Sequence, residues 1–87
     1  MPWFLYIVEC ADSSYYTGIT TNIDRRIEEH NAGKGAKYTQ GRAPVQLAYT
    51  ETFEDRSSAS KREYEVKSFS KVQKKNLIEL VNKRAMG

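Results

Sequence analysis

A chain of 87 residues with 39% hydrophobic and 29% charged side chains, and no repeat or low-complexity tract, has material for one modest core and reads as a folded domain, not a disordered tail. One cysteine, Cys10, and one histidine exclude an internal disulfide and a Cys/His zinc site, and the apolar run Trp3 to Val8 is too short to span a membrane and has no cationic leader, so a cytoplasmic setting is expected. The formal net charge of +3 is uneven: from Arg56 onward nine Lys or Arg stand against three acids, Glu63, Glu65 and Glu79, which favours a polyanionic partner over a membrane.

Trp3 to Glu9 (WFLYIVE) is aromatic and branched with no polar alternation, the pattern of a strand covered on both faces. ADSS supplies turn residues, and Tyr15 to Ile19 (YYTGI) returns as the second strand of a hairpin, with Gly18 permitting a close approach or a bulge. Thr21 or Asn22 caps a helix that ends near Gly33. On its wheel Arg26, Ile27 and His30 join the stripe set by Ile23, while Asp24, Arg25, Glu28 and Glu29 form a solvated face with an i,i+4 pair, Arg25 and Glu29. A buried, isolated cation is far costlier than a hydrated one, so an arginine on the inward stripe belongs at the border of a pocket or groove.

Residues 33 to 44 (GKGAKYTQGRAP) hold three glycines, three cations and a proline, which predicts a long basic loop without a regular element and a natural place for substrate contact. Val45 to Phe53 (VQLAYTETF) alternates as a half-exposed third strand, with Val45, Leu47, Tyr49 and Phe53 on one side and Gln46, Thr50 and Thr52 on the other. A second helix from about Ser57 to Lys67 sends Ala59 and Val66 inward with Glu63 between them. Ser70 with Gln73 has capping-box spacing and opens a last helix carrying Leu77, Ile78 and Val81. The order ββαβαα predicts an α/β composition of the α+β kind: a small three-stranded antiparallel sheet flanked by helices, in a single domain over residues 1–87 with its core at about 2–81 and a basic tail at 82–87.

The polar groups that the pattern sends inward or to a sheet end are Tyr6, Tyr16, Arg26, His30 and Glu63. A phosphodiesterase needs a group that activates water, a fixed cation for charge developing on phosphate, and usually a divalent metal held by a carboxylate. Each role has a candidate here, and one carboxylate suffices for Mg²⁺, which keeps several waters. Each residue also has a plainer reading: strand tyrosines that pack a ring and bond a hydroxyl, a mutual Arg26–Glu63 ion pair, and a His30 that caps its helix. Candidate phosphate-contacting cations are Lys34, Lys37 and Arg42 in the loop and Arg62 and Lys67 in the second helix, for which solubilising surface charge is an equal alternative.

Tyr6 within LYI, Tyr16 ten residues later in YTG, Arg26 and His30 within RRIEEH, and Glu63 in a later helix together resemble the GIY-YIG endonuclease superfamily over nearly the whole chain. The likeness is to its small, largely uncharacterised single-domain bacterial members, whose features GKGAKYTQGR, a third strand ending in an aromatic and REYEVK are also present. The resemblance implies hydrolysis of a DNA phosphodiester at one site that depends on Mg²⁺ or Mn²⁺. In it Tyr16 would act as general base or water-orienting group, Tyr6 would assist through its hydroxyl, Arg26 would stabilise the phosphate transition state, His30 would position substrate or assist Tyr16, and Glu63 would hold the metal. A phenol in water ionises near pH ~10, so a tyrosine base near neutrality needs help from metal and cations.

The departures are LYI for GIY and YTG for YIG, with both tyrosines and the glycine kept. The C-terminal asparagine of several family members has no clear counterpart, since Asn76 and Asn82 stand in a basic helix without a recognisable motif. With no room for a separate DNA-recognition domain, the resemblance implies cutting selected by structure (a flap, branch, nick or single strand) more than by sequence. Repair or recombination is the expected setting, a protein partner would add specificity, and RNA stays open as a substrate. Two alternatives remain: a non-catalytic nucleic-acid-binding module within a larger repair assembly, and a protein-interaction domain in which the five polar residues serve stability.

Overall fold

The computed structural model describes the backbone of residues 1–86 and the side chains through Val81, so the side chains of the expected basic tail at 82–87 lie outside the described residues. Three strands, β1 (Trp3–Glu9), β2 (Tyr15–Thr20) and β3 (Gln46–Phe53), make an antiparallel sheet in the order β2-β1-β3. Three helices accompany it, α1 (Ile23–Asn31), α2 (Arg56–Lys67) and α3 (Lys71–Met86). This is the ββαβαα arrangement expected from the sequence, an α+β fold.

The unbroken apolar run of β1 is explained by its central place. Leu5 and Ile7 project to one face, where they pack with Tyr49, with Val66 of α2 and with Ile78 of α3. Tyr6, Val8 and Cys10 project to the other, where they meet Val45 and Ile27 of α1. The helix starts follow local chemistry. Asn22 accepts a hydrogen bond from the Arg25 amide at 3.1 Å and Asp55 from the Ser58 amide at 2.8 Å, each satisfying a first-turn N–H that the helix itself cannot. Ser70 and Gln73 form the expected reciprocal box, the Ser70 amide donating to Gln73 Oε1 at 2.8 Å and the Gln73 amide to Ser70 Oγ at 3.2 Å.

Two expectations are corrected. The loop after α1 is not wholly irregular: Lys37–Thr39 form a short 3-10 turn that buries Thr39 completely. The simple alternation of the third strand also fails. Ile7 pairs with Tyr49 but Val8 with Leu47, so Ala48 is an extra residue on β3. A single inserted residue reverses which face the following side chains occupy. Tyr49 therefore packs with Leu5 and Ile7, Val45 packs on the opposite face with Tyr6 and Val8, and Leu47 is left 45% exposed.

Candidate active site

Tyr6 stands at the middle of β1, opposite Gly18 of β2, and its ring lies across that glycine. A Cβ at position 18 would come within 2.5 Å of the Tyr6 hydroxyl, so the glycine of YTG is required for this close approach and not for a turn. The Tyr6 hydroxyl lies 2.9 Å from Nε2 of His30, a fully buried side chain in the last turn of α1. His30 Nδ1 lies 2.7 Å from Thr39 Oγ1, which in turn donates to the Ala36 carbonyl at 2.9 Å.

The tautomer of His30 is assigned from these contacts. Thr39 has one hydroxyl proton, and with it committed to Ala36 the oxygen accepts from His30 Nδ1–H, which leaves Nε2 of a neutral imidazole to accept the Tyr6 O–H. Burial, and secondarily repulsion from Arg26, push the His30 pKa down and keep the ring neutral. Burial pushes the Tyr6 pKa up, against the opposing pull of the nearby Arg26 guanidinium. Gly35 packs directly on the His30 ring with no space for a Cβ. His30 is therefore held on three sides, a far more specific role than the helix cap that the sequence allowed.

Tyr16 projects from β2 on the same face as Tyr6 and is only partly buried. Its ring centroid lies 5.3 Å from that of His30 in an edge-to-face arrangement, 6.4 Å from Tyr6, and 5.9 Å from Tyr38, on which it stacks. Its hydroxyl makes no hydrogen bond to any described residue, whereas that of Tyr6 is engaged. Arg26, with 30% of its side chain exposed, pairs with Glu29 at 3.2 Å and also meets the Tyr6 hydroxyl. Glu63, 23% exposed, pairs with Lys67 at 3.4 Å, and the Lys67 ammonium lies 5.9 Å from the Tyr16 ring centroid. Glu63 is also close enough to Tyr6 to disfavour its ionisation. The alternative of a mutual Arg26–Glu63 pair is not realised among the described residues, since each has its own partner.

The five sequence candidates thus gather around the Tyr6 ring where it crosses β2. The phosphate-contacting candidates divide. Lys34, Lys37 and Lys67 are exposed. Arg42 bonds Asp12 at 3.0 Å and lies 4.3 Å from the Tyr38 ring centroid, holding the aromatic that stacks on Tyr16. Arg62 is not brought to the site: it is paired with Glu51 at 3.0 Å and with Glu65, and it lies over Phe69 against the opposite face of the sheet. Thr39, Gly35, Tyr38 and Glu29 have positioning roles that sequence reasoning missed. The one available signal was GKGAKYTQGR, read as a basic loop when three of its residues form a clamp on His30 and Tyr16.

Among the described residues no three His, Cys, Asp or Glu side chains cluster as a metal cage. A cation at Glu63 would rely on one carboxylate, water and substrate phosphate, a donor set that suits Mg²⁺ or Mn²⁺ and not zinc. The residues present fit such an ion, provided that Glu63 turns from Lys67 to meet it.

A central-strand tyrosine and an edge-strand tyrosine that meet an arginine and histidine from one helix and a glutamate from another define the class: a small α+β domain with a tyrosine-based polar site. The chain belongs to the GIY-YIG family, whose catalytic-domain model matches residues 2–76. It is similar to the UPF0213 proteins of Desulfotalea psychrophila, with 58% identity over 82 residues (93% of this chain and 74% of that one), and Staphylococcus haemolyticus, with 58% over 76 residues (87% and 93%). The solution NMR structure of the UPF0213 protein BH0048 from Bacillus halodurans matches with TM-score 0.60 and 50% identity, covering 92% of this chain and 85% of that one. That of EF2693 from E. faecalis matches with TM-score 0.65 and 40% identity, covering 94% and 88%. No helix among the described residues is long and apolar enough to cross a membrane. Membership of a nuclease family makes nucleic acid the substrate class implied for this chain.

Proposed function

We propose that this chain is a cytoplasmic, divalent-metal-dependent endonuclease that hydrolyses DNA phosphodiesters, selecting by structure more than by sequence, in repair or recombination and with a protein partner adding specificity. The observation that carries the reading is the contrast between two tyrosines on one face: Tyr6 is buried and committed to His30, while the Tyr16 hydroxyl beside it has no hydrogen-bond partner among the described residues. A hydroxyl left available can bond a water, whereas a committed one serves to position its neighbours. Tyr16 orients the attacking water and relays its proton, taking it up as its own hydroxyl proton passes to solvent while the oxygen–phosphorus bond forms. One ester P–O bond breaks, and the departing oxygen takes a proton from solvent, giving a phosphomonoester and a free hydroxyl. Arg26, held by Glu29, meets the charge that accumulates on the phosphate oxygens. His30 stays neutral, fixes Tyr6 and buttresses the Tyr16 ring. When bound at Glu63, Mg²⁺ or Mn²⁺ supplies Lewis-acid stabilisation of the phosphate. Lys34, Lys37, Arg42 and Lys67 contact the backbone of the substrate.

A second reading, a nucleic-acid-binding module without turnover, is favoured by the Lys67–Glu63 pair, which occupies the carboxylate that a metal needs. One experiment separates the two. End-labelled single-stranded, nicked, flapped and branched DNAs are incubated with the protein in Mg²⁺ or Mn²⁺, beside Glu63→Ala. Loss of cleavage in Glu63→Ala with DNA affinity and Tm retained supports the enzyme. Salt-sensitive binding without cleavage by wild type supports the module.

A further inference from the structure

At the corner where α2 gives way to α3, a cavity of about 200 Å³ is lined by Asp12, Ser14, Tyr15, Tyr38, Lys71 and Lys74. It adjoins the candidate active site, because its wall residue Tyr38 stacks on Tyr16. Its one acid is neutralised: Asp12 bonds Arg42 at 3.0 Å and accepts from the Ser14 amide at 3.1 Å. The ion pairs reaching this corner among the described residues are Arg42–Asp12 and Lys67–Glu63, so Lys71 and Lys74 bring unpaired charge. Lys74 is partly buried, and its ammonium is held below the ordinary lysine value by that burial and by repulsion from Lys67. With Asp12 already engaged by Arg42, the two lysines leave positive charge lining the cavity that an anion can meet. The first amides of α3 are not the attraction, since the Ser70–Gln73 box already occupies that helix start.

We propose that Lys71 and Lys74 form a second phosphate-binding site, taking a phosphodiester of the same nucleic-acid strand whose neighbouring phosphate lies at the tyrosine site. Lys67 links the two sites: it pairs with Glu63 on one side and acts electrostatically on Lys74 on the other. Together the three lysines set the path on which a bound strand leaves the site, along the start of β2 and past the face of Tyr38. This site rests on the proposed action on nucleic acid, but it concerns binding and is independent of turnover.

The test is the affinity of the full chain for a fluorescein-labelled flapped DNA in EDTA, where cleavage does not intervene, as a function of salt. Each phosphate contact contributes roughly 0.7 to 0.9 to the slope of log K against log salt. The double substitution Lys71→Ala/Lys74→Ala should lower that slope by about 1.4 to 1.8 and weaken binding at 0.1 M salt by roughly 25- to 60-fold. The control Lys61→Ala/Lys75→Ala removes the same charge from exposed positions that do not line the cavity, and should change the slope by less than half as much. Tm, measured on both variants, should stay near that of wild type. Equal slopes in the two double variants would overturn the site while leaving the nuclease reading intact. Wild-type protein that neither binds nor cuts DNA would instead overturn the reading on which the site rests.

Discussion

Tyr6→Phe deletes one oxygen from a fully buried position. The Tyr6 hydroxyl is the donor to His30 Nε2 at 2.9 Å, and the other ring nitrogen is already committed to Thr39. The substitution keeps the ring that packs over Gly18 but leaves Nε2 without a donor in a site that is closed to solvent on the His30 side. Leaving a buried acceptor unpaired costs about 1–3 kcal/mol. For a domain of this length each kcal/mol shifts Tm by roughly 4–8 °C, so a loss of at least about 4 °C is expected. The assay is urea denaturation at pH 8 followed by circular dichroism, with a thermal melt alongside. An unchanged m-value would show that the loss is one of stability and not of native compactness. A cost below about 0.5 kcal/mol would refute the assignment of Tyr6 as the donor that fixes His30, and with it the division of labour between the two tyrosines.

Four further outcomes follow from the same geometry. Gly18→Ala places a Cβ within 2.5 Å of the Tyr6 hydroxyl and should displace that side chain, lowering stability by about 1–3 kcal/mol and abolishing cleavage, whereas wild-type stability would contradict the close approach. Arg62→Ala strands Glu51 and should lower stability by about 1–2 kcal/mol, discounted for partial exposure, with DNA affinity little changed; a large affinity loss at unchanged Tm would reverse that reading. The His30 pKa is depressed on folding, so its contribution is complete above the unfolded value of about 6.5 and is lost as pH falls through the folded value. The acid-side loss of stability should therefore be shallower in His30→Gln, and an identical pH profile would contradict it. The Tyr6 pKa is raised, so the sign is opposite: stability is lost as pH rises above about 10, and Tyr6→Phe should remove that alkaline limb.

Much of this molecule was legible because its local signals agree with its global arrangement. The two-faced apolar run of β1, the Asn22 cap and the Ser70–Gln73 box each specify the element that forms. The inward stripe of α1 was readable for the same reason, and it brought Arg26 and His30 toward the tyrosines. What could not be read depends on pairing between distant segments. The extra residue Ala48 is defined only against Ile7 and Val8, so the alternation of β3 misleads beyond that point. Thr39 reaches His30 through a 3-10 turn nine residues away, inside a stretch whose glycines and lysines advertise a loop. Arg62 and Lys67 look alike in sequence as cations of one helix, and only the sheet face met by each separates a structural ion pair from a charge beside the tyrosines.

The most direct test of the central claim is the single-turnover rate of DNA cleavage in Mn²⁺ by wild type and Tyr16→Phe. The Tyr16 hydroxyl has no partner among the described residues, so its removal should leave Tm within about 2 °C of wild type and DNA affinity unchanged. Cleavage should fall at least about 100-fold. Cleavage by Tyr16→Phe at the wild-type rate, in protein shown to be free of other nucleases, would contradict it.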